Sequence, residues 1–182
     1  MGTMKKHAAR VPYIVVAGFL FAFLQTGYFY QLQFWMTSAY PSYVTVTLAW
    51  LVGSALGLTL GKQASSISSF GWLGASLCAY YGVLVLLRSF PYHLGWLPLQ
   101  GLLISISGLQ AGHFVAVNRS LFKSASRLFF WENNGFVLGW ATGFAGYAWL
   151  GDSFHWTAPV LTGLIYWLLF KAVVAGDGGL DS

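Results

Sequence analysis

Six apolar runs of about twenty residues, joined by short polar turns, constrain this chain more than any other feature. They cover about residues 12–33, 43–60, 69–87, 97–117, 129–150 and 157–174 of 182. A bilayer core about 30 Å thick takes about 20 apolar residues per helical crossing. Within it every backbone polar group must be satisfied inside the segment, so each run reads as a transmembrane α-helix. Composition agrees. Apolar residues make up 57% and charged residues 7%, against about 25% charged in a soluble domain. Nine basic and four acidic side chains cannot coat a protein this size, and lipid must cover the rest. The expected fold is an all-α integral membrane six-helix bundle forming one transmembrane domain over residues 1–182. The first run follows Lys5, Lys6 and Arg10 as the core of a signal peptide would. It is too long for one and ends in Gln31-Leu32-Gln33-Phe34-Trp35 rather than in a small-residue cleavage site, so it is expected to remain as an anchor.

Charge fixes the expected orientation, because cytoplasmic loops hold the excess of Lys and Arg. With the N-terminus inside, Lys5, Lys6, Arg10, Lys62, Arg119, Lys123, Arg127 and Lys171 all fall on the inner side, and only Arg88 falls outside. Both termini are therefore expected in the cytoplasm, at a bacterial inner membrane. The net charge of +5 is accounted for by anionic lipid headgroups, and no nucleic acid is called for. Aromatic residues including Tyr28, Tyr30, Trp35, Tyr40, Tyr43, Trp96, Trp149 and Trp156 on the outer side, and Trp72 and Trp131 on the inner, fit interfacial belts. Cys78, alone in mid-span, is expected to be a small packing residue. Pro41, Pro91 and Pro159 are expected in outer loops or at a span's first turn.

Glycine spacing carries more information. The second span holds Gly53, Gly57 and Gly61, and the fifth holds Gly135, Gly139 and Gly143. Intervals of four put each trio on one helical face, where a neighbouring backbone can approach closely. The fourth span has a similar stripe of Gly101, Ser105, Gly108 and Gly112. Spans two and five are equivalent if the chain is two sets of three, which raises the expectation of a three-plus-three inverted repeat.

Two stretches carry a resemblance. One is Trp50-Leu51-Val52-Gly53-Ser54-Ala55-Leu56-Gly57-Leu58-Thr59-Leu60-Gly61. The other runs from Gly108-Leu109-Gln110-Ala111-Gly112 through Trp131-Glu132-Asn133-Asn134-Gly135-Phe136-Val137-Leu138-Gly139 to Leu150-Gly151. Together they resemble the membrane portion of bacterial proteins that fuse a facilitator-like helical bundle to a spermidine-synthase-like domain. The resemblance implies a facilitator-like six-helix unit and, as substrate, a polyamine or other organic cation. It does not imply aminopropyl transfer, whose chemistry belongs to a Rossmann-like domain.

Ionisable and amide side chains inside a span are costly and point to function. His113 lies near the inner end of span four, with Gln110 one turn earlier on the same face. Glu132 lies about one turn into span five and is followed by Asn133 and Asn134. Gln110, His113, Glu132 and Asn133 are thus candidates for substrate binding or proton coupling, since a carboxylate beside an imidazole holds an exchangeable proton. The structural alternative pairs Glu132 with Arg127 or Arg119 at the interface and His113 with a backbone carbonyl. Gln25, with Thr26, Gln31 and Gln33 among aromatic residues, marks a second possible ligand path at the outer end of span one. His93 and His155, with Asp152, are weak candidates for a metal. No CxxC or HExxH occurs and only one histidine is clearly intramembrane, so neither metal nor haem is expected as cofactor. No nucleophile–base arrangement points to an enzyme. Two functions follow. One is a small-solute transporter or half-transporter pairing as a homodimer. The other is a non-catalytic membrane subunit that anchors or organises a soluble or redox partner.

Overall fold

The computed structural model describes residues 2–36, 39–61, 69–119 and 124–177, with side chains over 10–36, 40–61, 69–119 and 124–174. Among the described residues the protein is all helical. The six long helices are α1 (Gly2–Met36), α2 (Ala39–Leu60), α3 (Ser69–Ser89), α4 (Leu97–Asn118), α5 (Ala125–Leu150) and α6 (Asp152–Asp177), with a 3₁₀ turn at Leu94–Trp96 before α4. At 1.5 Å per residue, even the 21 residues of α3 reach about 30 Å, the thickness of a hydrocarbon core.

Five of these helices, α1 from Arg10 onward with α2, α3, α4 and α6, are long and apolar enough to cross a membrane. The expected fifth span, α5, has the length but is less apolar. Glu132, Asn133 and Asn134, three tryptophans and four glycines dilute its aliphatic content. Pro159 lies well inside α6 rather than at its first turn. Lys62 and Lys123, two of the cations used to orient the chain, lie outside the described residues, as do the side chains of Lys5 and Lys6.

The chain forms two compact units. One comprises Met1–Phe23 with Arg119–Ser182, and the other Leu24–Asn118. In the second, α2 and α4 lie backbone against backbone. A Cβ added to Gly57 would stand 2.7 Å from the His113 nitrogen, and one added to Gly108 would stand 2.5 Å from the Trp50 carbonyl oxygen. Gly53 faces the Ser105 carbonyl, Gly112 faces that of Ser54, and a Cβ on Gly61 would fall 2.5 Å from the Ala116 Cβ. The register rises together along both helices, so α2 and α4 run parallel. Helix α3 packs on another side of α4, with Leu73, Tyr80, Val83, Leu84 and Leu87 in the core. At one end the Phe29 and Tyr43 rings meet edge to face at 5.9 Å, and the Tyr92 N–H donates to the Trp35 carbonyl at 2.8 Å. The α1–α2 and α3–α4 connections therefore share one end of this unit.

In the first unit, α1 and α5 make the same kind of contact. Gly18 faces the Glu132 carbonyl, Gly135 faces that of Val15, and a Cβ on Gly139 would stand 2.9 Å from the Phe19 Cα. Helix α6 closes on α1 through Tyr13 and Tyr166, whose hydroxyls are 3.2 Å apart, and through Phe23 against Phe154. Tyr13, Ile14, Leu20, Phe21 and Leu128 are fully buried there.

Cys78 is exposed, on the outward face of α3, and is not a packing residue of the core. Tyr28, expected in an interfacial belt, has no exposed surface. By contrast Tyr40 and Trp149 are 78% and 88% exposed, as an aromatic belt requires.

The packing gives a direct test. Gly112→Ala places a methyl group 2.8 Å from the Leu58 nitrogen, whereas Gly74 on α3 has nothing within 4 Å. Overpacking of this kind costs about 1–3 kcal/mol, while replacing an open helical glycine by alanine gains up to about 1 kcal/mol. Thermal melting in detergent should show Gly112→Ala destabilised and Gly74→Ala neutral or more stable. Equal tolerance of both would refute the close α2–α4 contact.

Candidate functional site

The Leu24–Asn118 unit carries a polar seam inside an otherwise apolar bundle. Its spine is α4, where Gln100, Ser107, Gln110 and His113 are all buried. Intervals of seven and three keep Gln100, Ser107 and Gln110 on one side of a helix, with His113 one further turn along. Helix α3 runs alongside in the opposite direction, so Ser76 stands level with Ser107 and Trp72 level with His113.

Three contacts fix this arrangement. The Ser107 hydroxyl donates to the Ser76 carbonyl at 3.3 Å. The Tyr28 and Ser107 hydroxyl oxygens are 2.7 Å apart. Since the Ser107 proton is already given to Ser76, Tyr28 must be the donor to Ser107. Trp72 packs its ring against the His113 imidazole with centroids 5.3 Å apart. Gln110 lies between the two levels, 2% exposed.

Several polar atoms in the seam are buried without a hydrogen-bond partner among the described residues. They are both amide atoms of Gln110, His113 Nε2, Trp72 Nε1, Ser76 Oγ and, further along α4, Gln100 Oε1. Gln31 of α1, 2% exposed, has both amide atoms in the same condition. A buried polar group left unsatisfied costs about 1–3 kcal/mol, and most native buried polar groups are paired. So many together mark the seam as the candidate site.

The candidate residues fall as follows. Gln110 and His113 belong to this seam. Glu132 and Asn133 belong to the other unit, on α5, where Glu132 is half-buried and Asn133 exposed. Among the described residues no ion pair joins Glu132 to Arg119 or Arg127. Gln25 is half-buried on α1, and Gln33 is exposed. His93 is exposed, 6.4 Å from the Trp96 ring. His155 is buried against Tyr147, with ring centroids 4.4 Å apart. Among the described residues no three His, Cys, Asp or Glu side chains gather as a metal site would require. Of the glycines marked for packing, Gly53, Gly57 and Gly61 face α4, Gly135 and Gly139 face α1, and Gly143 is buried on α5.

Sequence reasoning missed Gln100, Ser107, Ser76 and the Trp72 indole. The spacing of Gln100, Ser107 and Gln110 was a usable signal, since a polar stripe within one apolar helix defines a face. Trp72 and Ser76, one turn apart on α3, carry the matching stripe.

No family model matches the chain, and neither does any curated protein or solved structure.

Removing the orphaned amide should stabilise the protein. Gln110→Leu eliminates two unsatisfied buried atoms with little change in volume, so its melting temperature in detergent should rise, by the equivalent of about 1–3 kcal/mol. Tyr28→Phe removes a satisfied bond and should lower it by about 1 kcal/mol. A fall for Gln110→Leu as large as that for Tyr28→Phe would mean that Gln110 is a structural residue.

Proposed function

We propose that this chain is a small-solute transporter of the bacterial cytoplasmic membrane, built as a facilitator-like six-helix unit that pairs with a second copy. The observation that carries the reading is Gln110, whose two amide atoms are buried and, among the described residues, unpartnered on a helix long and apolar enough to cross a membrane. Amides on membrane helices commonly hydrogen-bond a neighbouring helix, and one buried without such a bond is available to a solute. The seam extends along α4 from Gln100 to His113, about 20 Å at 1.5 Å per residue, which is two-thirds of a hydrocarbon core.

In this reading α5 is the sixth crossing. It runs parallel to α1, as two odd-numbered helices of an alternating topology must. Its outward side carries Phe130, Val137, Trp140 and Phe144, all more than half exposed, and these suit lipid. Both termini then lie on the cytoplasmic side, as the basic residues require. Glu132, half-buried on α5, is the carboxylate that would exchange a proton with the cytoplasm.

Two measurements test this. In a Cys78→Ser background, His93→Cys should react with a membrane-impermeant maleimide added outside intact cells, and Arg127→Cys should not. The reverse labelling would overturn the orientation. Purified protein in liposomes should move a small polar solute faster than empty liposomes, and Gln110→Leu should slow that flux by about tenfold or more, a barrier change of about 1.4 kcal/mol. Absence of flux, with a partner protein or pigment held tightly through purification, would replace transport by the role of a membrane subunit.

A further inference from the structure

The two units share one packing scheme in detail. A Cβ on Gly108 would meet the Trp50 carbonyl oxygen and, at 3.2 Å, the Ser54 nitrogen. One on Gly18 would meet the Glu132 carbonyl oxygen and, at 2.8 Å, the Phe136 nitrogen. Gly53 faces the Ser105 carbonyl as Gly135 faces that of Val15, and Gly57 meets Leu109 and Gly112 as Gly139 meets Phe19 and Ala22. One constant shift in numbering carries Trp50, Gly53, Ser54 and Gly57 onto Glu132, Gly135, Phe136 and Gly139. A second carries Ser105, Gly108, Leu109 and Gly112 back onto Val15, Gly18, Phe19 and Ala22.

The same two shifts extend to the third helix of each set. They carry the Trp72–His113 ring pair onto Phe154–Phe23, and the centroid separation is 5.3 Å in both. Helices α2, α3 and α4 thus correspond to α5, α6 and α1. Each unit joins the first helix of one triplet to the second and third of the other. In an alternating topology the two triplets run in opposite directions, which is an inverted repeat.

The copies differ in polarity at the equivalent positions. Ser107, Gln110 and His113 become Ala17, Leu20 and Phe23, while Trp72 and Ser76 become Phe154 and Ala158. Ala17 and Leu20 are fully buried, and Phe23 and Ala158 nearly so. The scaffold is therefore satisfied by apolar side chains at these sites, and packing does not explain why one copy keeps polar ones.

Their chemistry limits the ligand. Trp72 Nε1–H, Ser76 Oγ–H and the Gln110 amide N–H groups are donors, while the Gln110 carbonyl oxygen is an acceptor. Residues 24–118 contain no Asp or Glu, since all four acidic residues lie between 132 and 181. Within this unit a cation would face several donors and no counter-charge, in a setting where unpaired charge is costly. An anion would face the amide oxygen.

We propose that the unpartnered polar atoms of Trp72, Ser76, Gln110 and His113 form the solute site of this protein, confined to one copy of an inverted repeat, and that the site takes a small neutral molecule offering both hydrogen-bond donors and acceptors, such as an amide. This rests on the transport reading but departs from the organic cation implied by resemblance.

The experiment compares acetamide and urea with radiolabelled spermidine in proteoliposomes of the intact chain. It uses the wild type, Gln110→Leu, which copies Leu20, and Leu20→Ala, which perturbs the apolar copy. Flux of the neutral probes, reduced at least about tenfold (about 1.4 kcal/mol) by Gln110→Leu but less than about twofold by Leu20→Ala, supports the proposal. Spermidine flux without neutral-solute flux would overturn the ligand class while leaving transport standing. Neutral flux indifferent to Gln110→Leu would overturn the site. Flux of neither probe class, by a protein shown to be folded by its melting transition, would overturn transport and the proposal with it.

Discussion

The rest of this structure depends on the close approach of parallel helix backbones at glycine. Lipid chains are as apolar as leucine, so helices in a bilayer gain little by hiding large side chains from them. What holds helices together is dense contact, and glycine permits the densest. At the α2–α4 and α1–α5 seams almost any side chain would collide with a carbonyl of the facing helix. Large apolar side chains consequently turn outward. Leu51, Val52 and Leu56 of α2 are exposed while Gly53 and Gly57, among them in sequence, are buried.

That packing leaves α4 pressed against α2 by Gly108 and Gly112, and it presents Ser107 and His113 to α3. A helix held so closely cannot rotate to bring its polar groups to lipid headgroups. Gln110 has neither the length to snorkel, as lysine does, nor a hydrogen-bond partner among the described residues. The orphaned atoms are therefore a consequence of the glycine contacts and are held in place by them. The hydrogen-bonded relay from Tyr28 through Ser107 to the Ser76 carbonyl stands between Gln100 and Gln110, and the Trp72–His113 ring pair lies one turn beyond Gln110.

Much of the architecture was legible because membrane helices follow the bilayer's dimensions. The runs at 69–87 and 97–117 agree with α3 and α4 to within two residues. Helices α1 and α6 extend beyond their apolar runs, because hydropathy marks what lipid covers and a helix continues past it. The glycine trios announced close packing but not the partner, since spacing on one helix says nothing about its neighbour. Burial direction was the least legible property. A tyrosine near a span's end suits either an interface or a core hydrogen bond, and only the position of Ser107 decides for Tyr28. Cys78 and Ser76 differ by two residues, less than one helical turn, yet one faces outward and the other inward. His113 and Gln110 were marked by their cost in lipid, whereas serine costs too little to stand out, so Ser76 and Ser107 did not.

The parallel α2–α4 contact is the central claim, and a disulfide measures it directly. A Cβ on Gly101 would lie 4.0 Å from the Ala49 Cβ, within the range that a disulfide spans. In a Cys78→Ser background, Ala49→Cys with Gly101→Cys should oxidise to an intramolecular bond, read by mass spectrometry as one linked peptide pair from a single chain. If both thiols stay reduced under mild oxidant, or link only between chains, then α2 and α4 do not lie side by side in this register. The glycine scaffold, and the polar seam it holds, would be wrong.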